Sequence, residues 1–432
     1  MTRDRLLRPL VAAALLPLSL LAPAAAGAAT GDASDGGLWY YTATGMEQLH
    51  QRSTGAGITI AIVDTTVNPE APDLVGTDVQ VREPAFCAAP DGSSRPAATD
   101  DPGSRHASHI AALISGTGAG VGGEPGTRGI APGAAVEVFA LAPDDQLAAC
   151  TPVESSAAFQ AAVTSGADIV NVSADLDLGP EDMLAALRAG VIVVGSGGNH
   201  DVVDSLPATF NGAIATGTLA PGLTLAEGSP RGPVLGVVAP GAEIRAIAPD
   251  WQRYGKATGS SDAAAFTSAA LALTWSLYPD ATANQIMQSL IRNTGGTEHE
   301  PGFIDESWGY GLVNVRQMLD SDPRSYPDVN PFLRDDAAAV PSMEAAREAL
   351  GMAEPAASAS PTPEAAEDVG GTAGDARPDD EAEESSSTLM VVGIVAAVTA
   401  AAAVVILVLV RRRRGTTPTS TDSTSTAGGH HG

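Results

Sequence analysis

Four polar residues have the side-chain types needed for hydrolysis through a covalent intermediate: Asp64, His106, Asn199 and Ser261. A serine hydroxyl becomes a nucleophile when an imidazole takes its proton, and a carboxylate orients that imidazole. An amide side chain can then donate a hydrogen bond to the oxyanion that forms. The chain therefore contains a full set of candidates for acyl transfer, provided that the fold brings them together.

Each candidate also has an ordinary structural interpretation. Ser261 stands where a turn of small residues enters an alanine-rich helix, so it can be a helix N-cap. Asp64 can cap a turn beyond a strand, and Asn199 can occupy a left-handed turn. The nucleophile interpretation of Ser261 rests on the helix start, where free N–H groups and the positive end of the helix dipole face any oxyanion.

The segments that must position these residues alternate between strands and helices. Buried, largely apolar runs predict strands at 58–63, 135–141, 168–173, 191–194, 234–239 and 243–247. Periodicity and capping residues predict helices that begin near 106, 154, 181, 261 and 283. The alternation predicts an α/β fold with a doubly wound, mostly parallel sheet and helices on both faces. Sites in such sheets form at the carboxyl ends of strands, where Asp64 and Asn199 are expected.

Two other kinds of site are disfavoured by the sequence. His106 and His109 lie three residues apart on a predicted helix, which resembles half of a zinc site, but no third ligand follows at the expected interval. The glycine-rich segment before Asn199 does not lead into a helix, which argues against dinucleotide binding. We therefore expect no metal and no cofactor.

The two ends of the chain predict export and membrane anchoring. Residues 1–28 combine basic residues, a short apolar run and small residues, as in a secretory signal peptide. A transmembrane anchor is the alternative there, but Pro17 interrupts the run. The uncharged run Leu389–Val410 is long enough to cross a bilayer, and Arg411–Arg414 after it place the C-terminus in the cytoplasm.

These features divide the 432-residue chain into five parts. The parts are a signal peptide at 1–28, a main domain with an N-terminal extension at 29–335, a helical stretch and acidic Pro/Ala-rich stalk at 336–387, a transmembrane helix at 388–410 and a tail at 411–432. The predicted location is the cell membrane, with one span and the main domain outside the cytoplasm. A net charge of −28 argues against nucleic acid as a partner.

Export permits a disulfide between the two cysteines of the chain, Cys87 and Cys150. Such a bond would close a loop of about 60 residues and contribute roughly 4 kcal/mol on the chain-entropy model. Two unpaired buried thiols are the alternative. The segment that holds Cys87, from Val75 to Gly103, is rich in Pro, Gly, Ala and Asp, and is expected to be a surface excursion.

Segments around the four candidates resemble the subtilisin-like serine proteases, or subtilases. IAIVDTTVNPEAPDL is similar to the aspartate block of that family, RHASHIAALISG to its histidine block, VVGSGGN to its oxyanion asparagine block, and TGSSDAAAFTSAALAL to its serine block. The similarity extends from about Gly55 to Leu319, and the chain order Asp, His, Ser is that of the subtilisins. The signal peptide, cysteine-containing insertion, acidic stalk and C-terminal helix together resemble the mycosins, membrane-anchored subtilases of type VII secretion systems.

The resemblance implies a role for each candidate. Ser261 would attack the scissile carbonyl, His106 would move the proton, and Asp64 would fix the imidazole tautomer. Asn199 and the Ser261 N–H would form the oxyanion hole.

The resemblance also implies partners. The backbone of Ser173, Ala174 and Asp175 would pair with an extended polypeptide substrate, which would bind as an added strand. The mycosin-like layout adds the membrane components of a type VII secretion system as possible partners.

The main departure from the family pattern is Asp262, directly after the candidate nucleophile; Thr66, Ala107, Ser108 and Asp175 also differ. A carboxylate about 6–7 Å from the oxyanion would oppose it by roughly 2–3 kcal/mol at an effective dielectric near 20. That penalty would mostly vanish if Asp262 turned to solvent or capped its own helix. Two functions therefore stay open: an active serine endopeptidase, and a catalytically weak scaffold that binds a secretion complex.

Overall fold

A computed structural model describes residues 35–302 and 304–352. Its strands are β1 (Thr59–Asp64), β2 (Val79–Val81), β3 (Thr117–Ala119), β4 (Pro125–Arg128), β5 (Ala135–Ala140), β6 (Ile169–Val172), β7 (Ile192–Ser196), β8 (Ile214–Ala220), β9 (Thr224–Leu225), β10 (Leu235–Pro240), β11 (Ile244–Ile247) and β12 (Tyr254–Ala257). Its α-helices are α1 (Trp39–Ala43), α2 (Met46–Leu49), α3 (Arg105–Ser115), α4 (Pro152–Thr164), α5 (Pro180–Ala189), α6 (Ser260–Leu277), α7 (Ala283–Arg292), α8 (Val315–Asp320) and α9 (Met343–Ala349).

The main sheet has the strand order β10-β8-β7-β6-β1-β5-β2, and every pairing along this path is parallel. Only β9 joins it antiparallel, on β8. This arrangement confirms the predicted α/β fold with a mostly parallel sheet. Because β7, β6 and β1 are neighbours, the segments that leave their carboxyl ends lie side by side at one edge of the sheet.

Both faces of the sheet are buried, since side chains alternate between the faces along each strand. In β1, Ile60 and Ile62 belong to one apolar cluster, which also includes residues of α1, α2, α3, α6 and α7. Ala61 and Val63 belong to a second cluster with residues of α4, α5 and α9. Helices therefore cover both faces, as the sequence predicts.

Helix α6 packs against the middle of the sheet. Its alanine-rich first turns, including Ala263, Ala264 and Ala265, are fully buried, and small side chains there allow the helix to approach the strands closely. The N-terminus of α6 lies beside the carboxyl ends of the strands. Ser261 is its second residue, and Gly259 is the N-cap residue, so the N-cap interpretation of Ser261 is wrong.

Three strands of the sheet were not expected from the sequence: the two-residue β9, which pairs with β8, and the two longer strands β8 and β2. The segment of β8 reads IATGTLA, whose alanine, glycine and threonine residues give a weak strand pattern, but it lies between β7 and β10 with nearly all of its residues buried. The expected surface excursion at Val75–Gly103 contains β2, which pairs with β5 at the edge of the sheet. In both cases strand formation depends on neighbours that are distant in sequence.

Several predictions fall outside the described residues: the signal peptide at 1–28, the transmembrane helix at 388–410 and the tail at 411–432. Most of the predicted stalk lies outside them as well. Between 35 and 352, leaving out 303, no helix is both long enough and apolar enough to cross a membrane.

Candidate active site

Asp64 lies at the carboxyl end of β1 and is fully buried. Its Oδ1 accepts hydrogen bonds from the Thr65 N–H at 2.6 Å and from His106 Nδ1 at 2.7 Å. Because the carboxylate accepts a hydrogen bond from Nδ1–H, the proton of a neutral His106 ring stays on Nδ1 and the lone pair lies on Nε2. This is the tautomer that a general base needs.

His106 is the second residue of α3, and its side chain is 25% exposed. Burial by itself would lower the pKa of His106, but the charge and hydrogen bond of Asp64, with smaller effects of Asp262 and Asp144, outweigh it and raise the pKa above the ordinary 6.5. The fold thus favours the imidazolium, the form that His106 would take after it has accepted a proton.

The Ser261 hydroxyl donates a hydrogen bond to the Ser173 carbonyl oxygen at 2.9 Å. In return, the Ser173 hydroxyl donates to the Ser261 carbonyl oxygen at 3.1 Å. Within the described part of the chain, Ser261 and His106 are not hydrogen-bonded to each other, although both line one cleft. The Asp–His contact of a triad is therefore formed, whereas the Ser–His contact would require the Ser261 hydroxyl to leave the Ser173 carbonyl.

A buried polar network that the sequence analysis missed supports the Ser173 segment. Asn171, in β6, donates from Nδ2 to the Ser173 hydroxyl at 2.9 Å. The hydroxyl of Ser268, in α6, donates to Asn171 Oδ1 at 3.0 Å. All three side chains are buried, and the network ties the end of β6 to the helix that carries Ser261. A polar residue inside an otherwise apolar strand, as in IVNV, is the signal that could have identified Asn171.

Asn199 follows β7 and faces the start of α6. Its Oδ1 accepts a hydrogen bond from the Ser260 N–H at 2.8 Å, which fixes the orientation of the amide. Among the described residues, Asn199 Nδ2 makes no hydrogen bond, and Asn199 lines the same cleft as His106 and Ser261. An amide held in this way can donate to an oxyanion that forms beside Ser261.

The predicted substrate-pairing segment directly follows β6. Ser173 and Ala174 are buried, whereas Asp175 is exposed. The Asp175 side chain accepts a hydrogen bond from the Leu206 N–H at 3.0 Å, so this departure from the family pattern helps to hold a neighbouring loop.

The cleft has a volume of about 390 Å³ and brings the candidates together. It is lined by Arg105, His106, His109, Asn199, residues 246–249 and 255–259 around the β11–β12 hairpin, Ser261 and Asp262. Asp64 lies behind His106 and contacts the cleft only through that ring.

Asp262 adopts neither of the two orientations expected from the sequence. It is 3% exposed, so it does not turn to solvent, and it makes no cap for its own helix. Its Oδ1 instead contacts Nε2 of His109, which is also buried. His106 and His109 thus bind different carboxylates, and no group of three or more potential metal ligands occurs among the described residues.

Two further predicted features lie away from the cleft. Cys87 and Cys150 form a disulfide, with Cα atoms 5.5 Å apart. Thr66, another residue that departs from the family pattern, is fully buried beside the strand that carries Asp64. Its hydroxyl has no hydrogen-bond partner in the described part of the chain.

Known proteins share sequence and fold with this chain. A model of the subtilase family matches residues 55–311, which is more than half of the chain. The chain belongs to the subtilase family. The matched region of this subtilase contains Asp64, His106, Asn199 and Ser261.

Two curated relatives share sequence with the chain. The chain is 30% identical over 256 residues to the major intracellular serine protease of Bacillus subtilis (strain 168), a match that covers 56% of this chain and 76% of the relative. It is 29% identical over 314 residues to fervidolysin of Fervidobacterium pennivorans, covering 65% of this chain and 43% of fervidolysin. The match therefore spans less than half the length of fervidolysin.

Solved structures with the same fold include two mycosins. The MycP3 protease from the type VII (ESX-3) secretion system has a TM-score of 0.51 and 24% identity, and the match covers 66% of this chain and 88% of that one. MycP1 from the ESX-1 type VII secretion system has a TM-score of 0.51 and 20% identity, with 68% and 88% covered. At these identities the similarity establishes the subtilase fold.

Proposed function

We propose that the protein is a membrane-anchored, extracytoplasmic serine endopeptidase that hydrolyses peptide bonds through a Ser-His-Asp mechanism. The observation that carries the proposal is the 2.7 Å contact of His106 Nδ1 with Asp64, in a cleft that also contains Ser261 and Asn199. No cofactor takes part in the proposed reaction.

The reaction begins when the Ser261 hydroxyl exchanges its hydrogen bond to Ser173 for one to His106 Nε2. Ser261 Oγ attacks the scissile carbonyl carbon, and its proton moves to His106. The carbonyl oxygen becomes an oxyanion that accepts hydrogen bonds from Asn199 Nδ2 and the Ser261 N–H. His106 then gives the proton to the leaving amine, and water hydrolyses the acyl-enzyme by the reverse sequence of proton transfers.

The polypeptide substrate is proposed to pair with the segment from Ser173 to Asp175. An added strand needs backbone partners, and the Ser173 carbonyl oxygen is one acceptor at this edge. That same carbonyl accepts the Ser261 hydroxyl in the unliganded chain. A substrate N–H that bonds to it would compete with the hydroxyl and favour the orientation of Ser261 toward His106.

The proposed location follows from the ends of the sequence. A signal peptide at 1–28 would direct export, and the apolar run at 388–410 would anchor the domain in the cell membrane with the C-terminus in the cytoplasm. The acidic stalk would separate the domain from the bilayer. Deletion of residues 388–432 is expected to release the protein from the membrane fraction, whereas retention of the shortened chain would contradict the anchor.

Association with a type VII secretion system is part of the proposal. Its support is the similarity of fold to the mycosins MycP1 and MycP3, which belong to such systems, together with the predicted anchor. A second function, a catalytically weak scaffold that stabilises a membrane secretion complex, is favoured by one observation: the Ser261 hydroxyl bonds to Ser173 and not to His106.

Labelling with a fluorophosphonate tests the endopeptidase. The full chain is expected to be labelled and to cleave a fluorescent casein, and Ser261→Ala is expected to abolish both. Ser276→Ala, which changes a serine near the other end of the same helix whose hydroxyl donates to the Ala56 carbonyl, is the matched control and should keep the label. An unlabelled wild type, or equal labelling of Ser261→Ala, would contradict the mechanism; secretion components that co-purify with such an inactive protein would then support the scaffold.

A further inference from the structure

A second histidine and carboxylate face each other beside the active site. His109 Nε2 contacts Asp262 Oδ1, and the two side chains are only 2% and 4% exposed. His109 lies on α3, one turn after His106, whereas Asp262 follows Ser261 on α6. The pair therefore joins the two helices that carry the candidate base and the candidate nucleophile.

Each side chain of the pair is held in place by its contact with the other. His109 Nδ1 is buried and has no hydrogen-bond partner within the described residues. Among those residues, Asp262 makes no side-chain hydrogen bond apart from the one to His109. If His109 were removed, the Asp262 carboxylate would keep its place next to Ser261 but would lose the group that determines its direction.

Both residues line the cleft that contains His106, Asn199 and Ser261. The oxyanion of the proposed reaction forms in this cleft, and a free carboxylate of the adjacent residue would oppose it. The ground-state substrate carries no such charge. An unrestrained Asp262 would therefore act on the transition state much more than on substrate binding.

Other titratable and charged groups surround the pair. They are Tyr40 of α1, Asp73 after β1, Arg105 and His106 of α3, and Tyr254 and Lys256 of β12. Asp73 is held by hydrogen bonds from the Tyr254 hydroxyl and the Thr127 N–H, so it does not replace Asp262 as the partner of His109. Lys256 is paired with Glu243, so it does not replace His109 as the partner of Asp262. Tyr40 likewise has its own partner, because its hydroxyl donates to the Arg128 carbonyl.

We propose that His109 is a positioning residue, which binds the Asp262 carboxylate and holds its charge away from the oxyanion formed at Ser261. The inference rests on the proposed Ser-His-Asp mechanism. It explains how the chain accommodates an acidic residue directly after the nucleophile. It also gives His109 a role that depends on Asp262 and disappears when Asp262 is uncharged.

Replacement of His109 separates this role from simple packing. In His109→Leu, kcat is expected to fall about tenfold to a hundredfold with little change in KM, because an unpaired carboxylate opposes the transition state. His109→Gln keeps an N–H donor near the position of Nε2 and should lose less. Asp262→Asn in the His109→Leu background should restore most of the lost kcat.

The pH profile gives a second measurement. Asp262 is one of the carboxylates that raise the pKa of His106. The acid limb of kcat/KM should therefore move to lower pH in Asp262→Asn and to higher pH in His109→Leu. His50→Leu, which removes a half-buried histidine that contacts the Ile130 carbonyl and does not line the cleft, is the matched control and should leave the acid limb unchanged.

The experiment uses the full chain, with kcat normalised to the number of serines that a fluorophosphonate titrates. Additive effects of His109→Leu and Asp262→Asn on kcat would overturn the inference. If His109→Leu does not fold, an acid limb that stays unchanged in the isosteric Asp262→Asn would overturn it as well. An unlabelled wild type would overturn the proposed function and the inference together. If the wild type is labelled but the effects of the two substitutions on kcat are additive, the inference alone is overturned.

Discussion

Helix α3 carries two histidines that each contact a carboxylate, and the two pairs differ in how far they open to the cleft. In the first, the His106 side chain is 25% exposed and its partner Asp64 is fully buried. In the second, His109 and Asp262 are both almost fully buried. The residue types are the same, and the rings are separated by one helical turn.

The comparison shows that chemistry depends on access as much as on residue type. His106 has one nitrogen bound to Asp64 and the other left for a reacting group in the cleft, so it can move a proton. His109 also has one nitrogen bound to a carboxylate, but its other nitrogen is buried and finds no hydrogen-bond partner among the residues that the structure describes. The first pair is therefore suited to acid–base catalysis, and the second to fixing a charge.

The largest difference between the pairs is expected in turnover. Asp64→Asn should lower kcat by about 10⁴-fold, because the amide no longer selects the tautomer with the lone pair on Nε2; that magnitude is the one known for the corresponding change in another triad. Asp262→Asn should change kcat by no more than about tenfold. Steady-state hydrolysis of a peptide, normalised to labelled enzyme, measures both. Similar losses in the two variants would remove the functional distinction between the pairs.

For the free energy of unfolding, the second pair should matter more than the first, which is the opposite of the order expected for kcat. His109→Leu is expected to reduce the free energy of unfolding by about 3–5 kcal/mol, because it leaves the buried Asp262 carboxylate without a partner. His106→Leu should reduce it less, since Asp64 keeps the hydrogen bond from the Thr65 N–H and the loss of the imidazole would open its carboxylate to water in the cleft. Urea unfolding of the two variants, followed by fluorescence, gives both values. A larger loss in His106→Leu would show that the exposed pair is the main structural one.

The smallest expected effect is a dependence on pH that separates activity from stability. His106 must be neutral to accept a proton, so kcat/KM should rise with pH through a pKa above 6.5. Because the pKa is raised on folding, protonated His106 stabilises the fold; this contribution is fully present below about pH 6.5 and is lost as the pH rises through the folded pKa. Activity should thus increase, and the His106 contribution to Tm decrease, over the same interval.

Profiles of kcat/KM and Tm between pH 5 and 9 measure this opposition. Asp64→Asn should move the acid limb of kcat/KM to lower pH and flatten that part of the Tm profile. An acid limb below pH 6.5 in the wild type would contradict the raised pKa of His106.

Much of the fold could be predicted because its strands are buried on both faces and its helices have clear starts. The runs that become β1, β5 and β6 are continuous and apolar, and Thr282 with Gln285 forms a capping box at the start of α7. The weak pattern of β8 could not be interpreted from the sequence, because its alanines and glycine become a strand only between β7 and β10.

The candidate site also has residues that could be predicted from the sequence and residues that could not. The types and order of Asp64, His106, Asn199 and Ser261 identified the candidates before any geometry was available. The sequence marks Asn171 only as a polar residue inside an apolar strand and does not show that it will bond to Ser173 and to Ser268 of α6. It also assigned no function to His109 beyond a zinc ligand that lacks companions.

The sequence by itself determined the family, the parallel sheet and the candidate residues for acyl transfer, because these depend on local patterns and on residue type. Only the tertiary structure decided the direction of Asp262. The sequence places that carboxylate next to the nucleophile, and from there it could reach solvent, its own helix or the oxyanion. Its actual partner is 153 residues away in the chain, and the packing of α3 against α6 brings the two together.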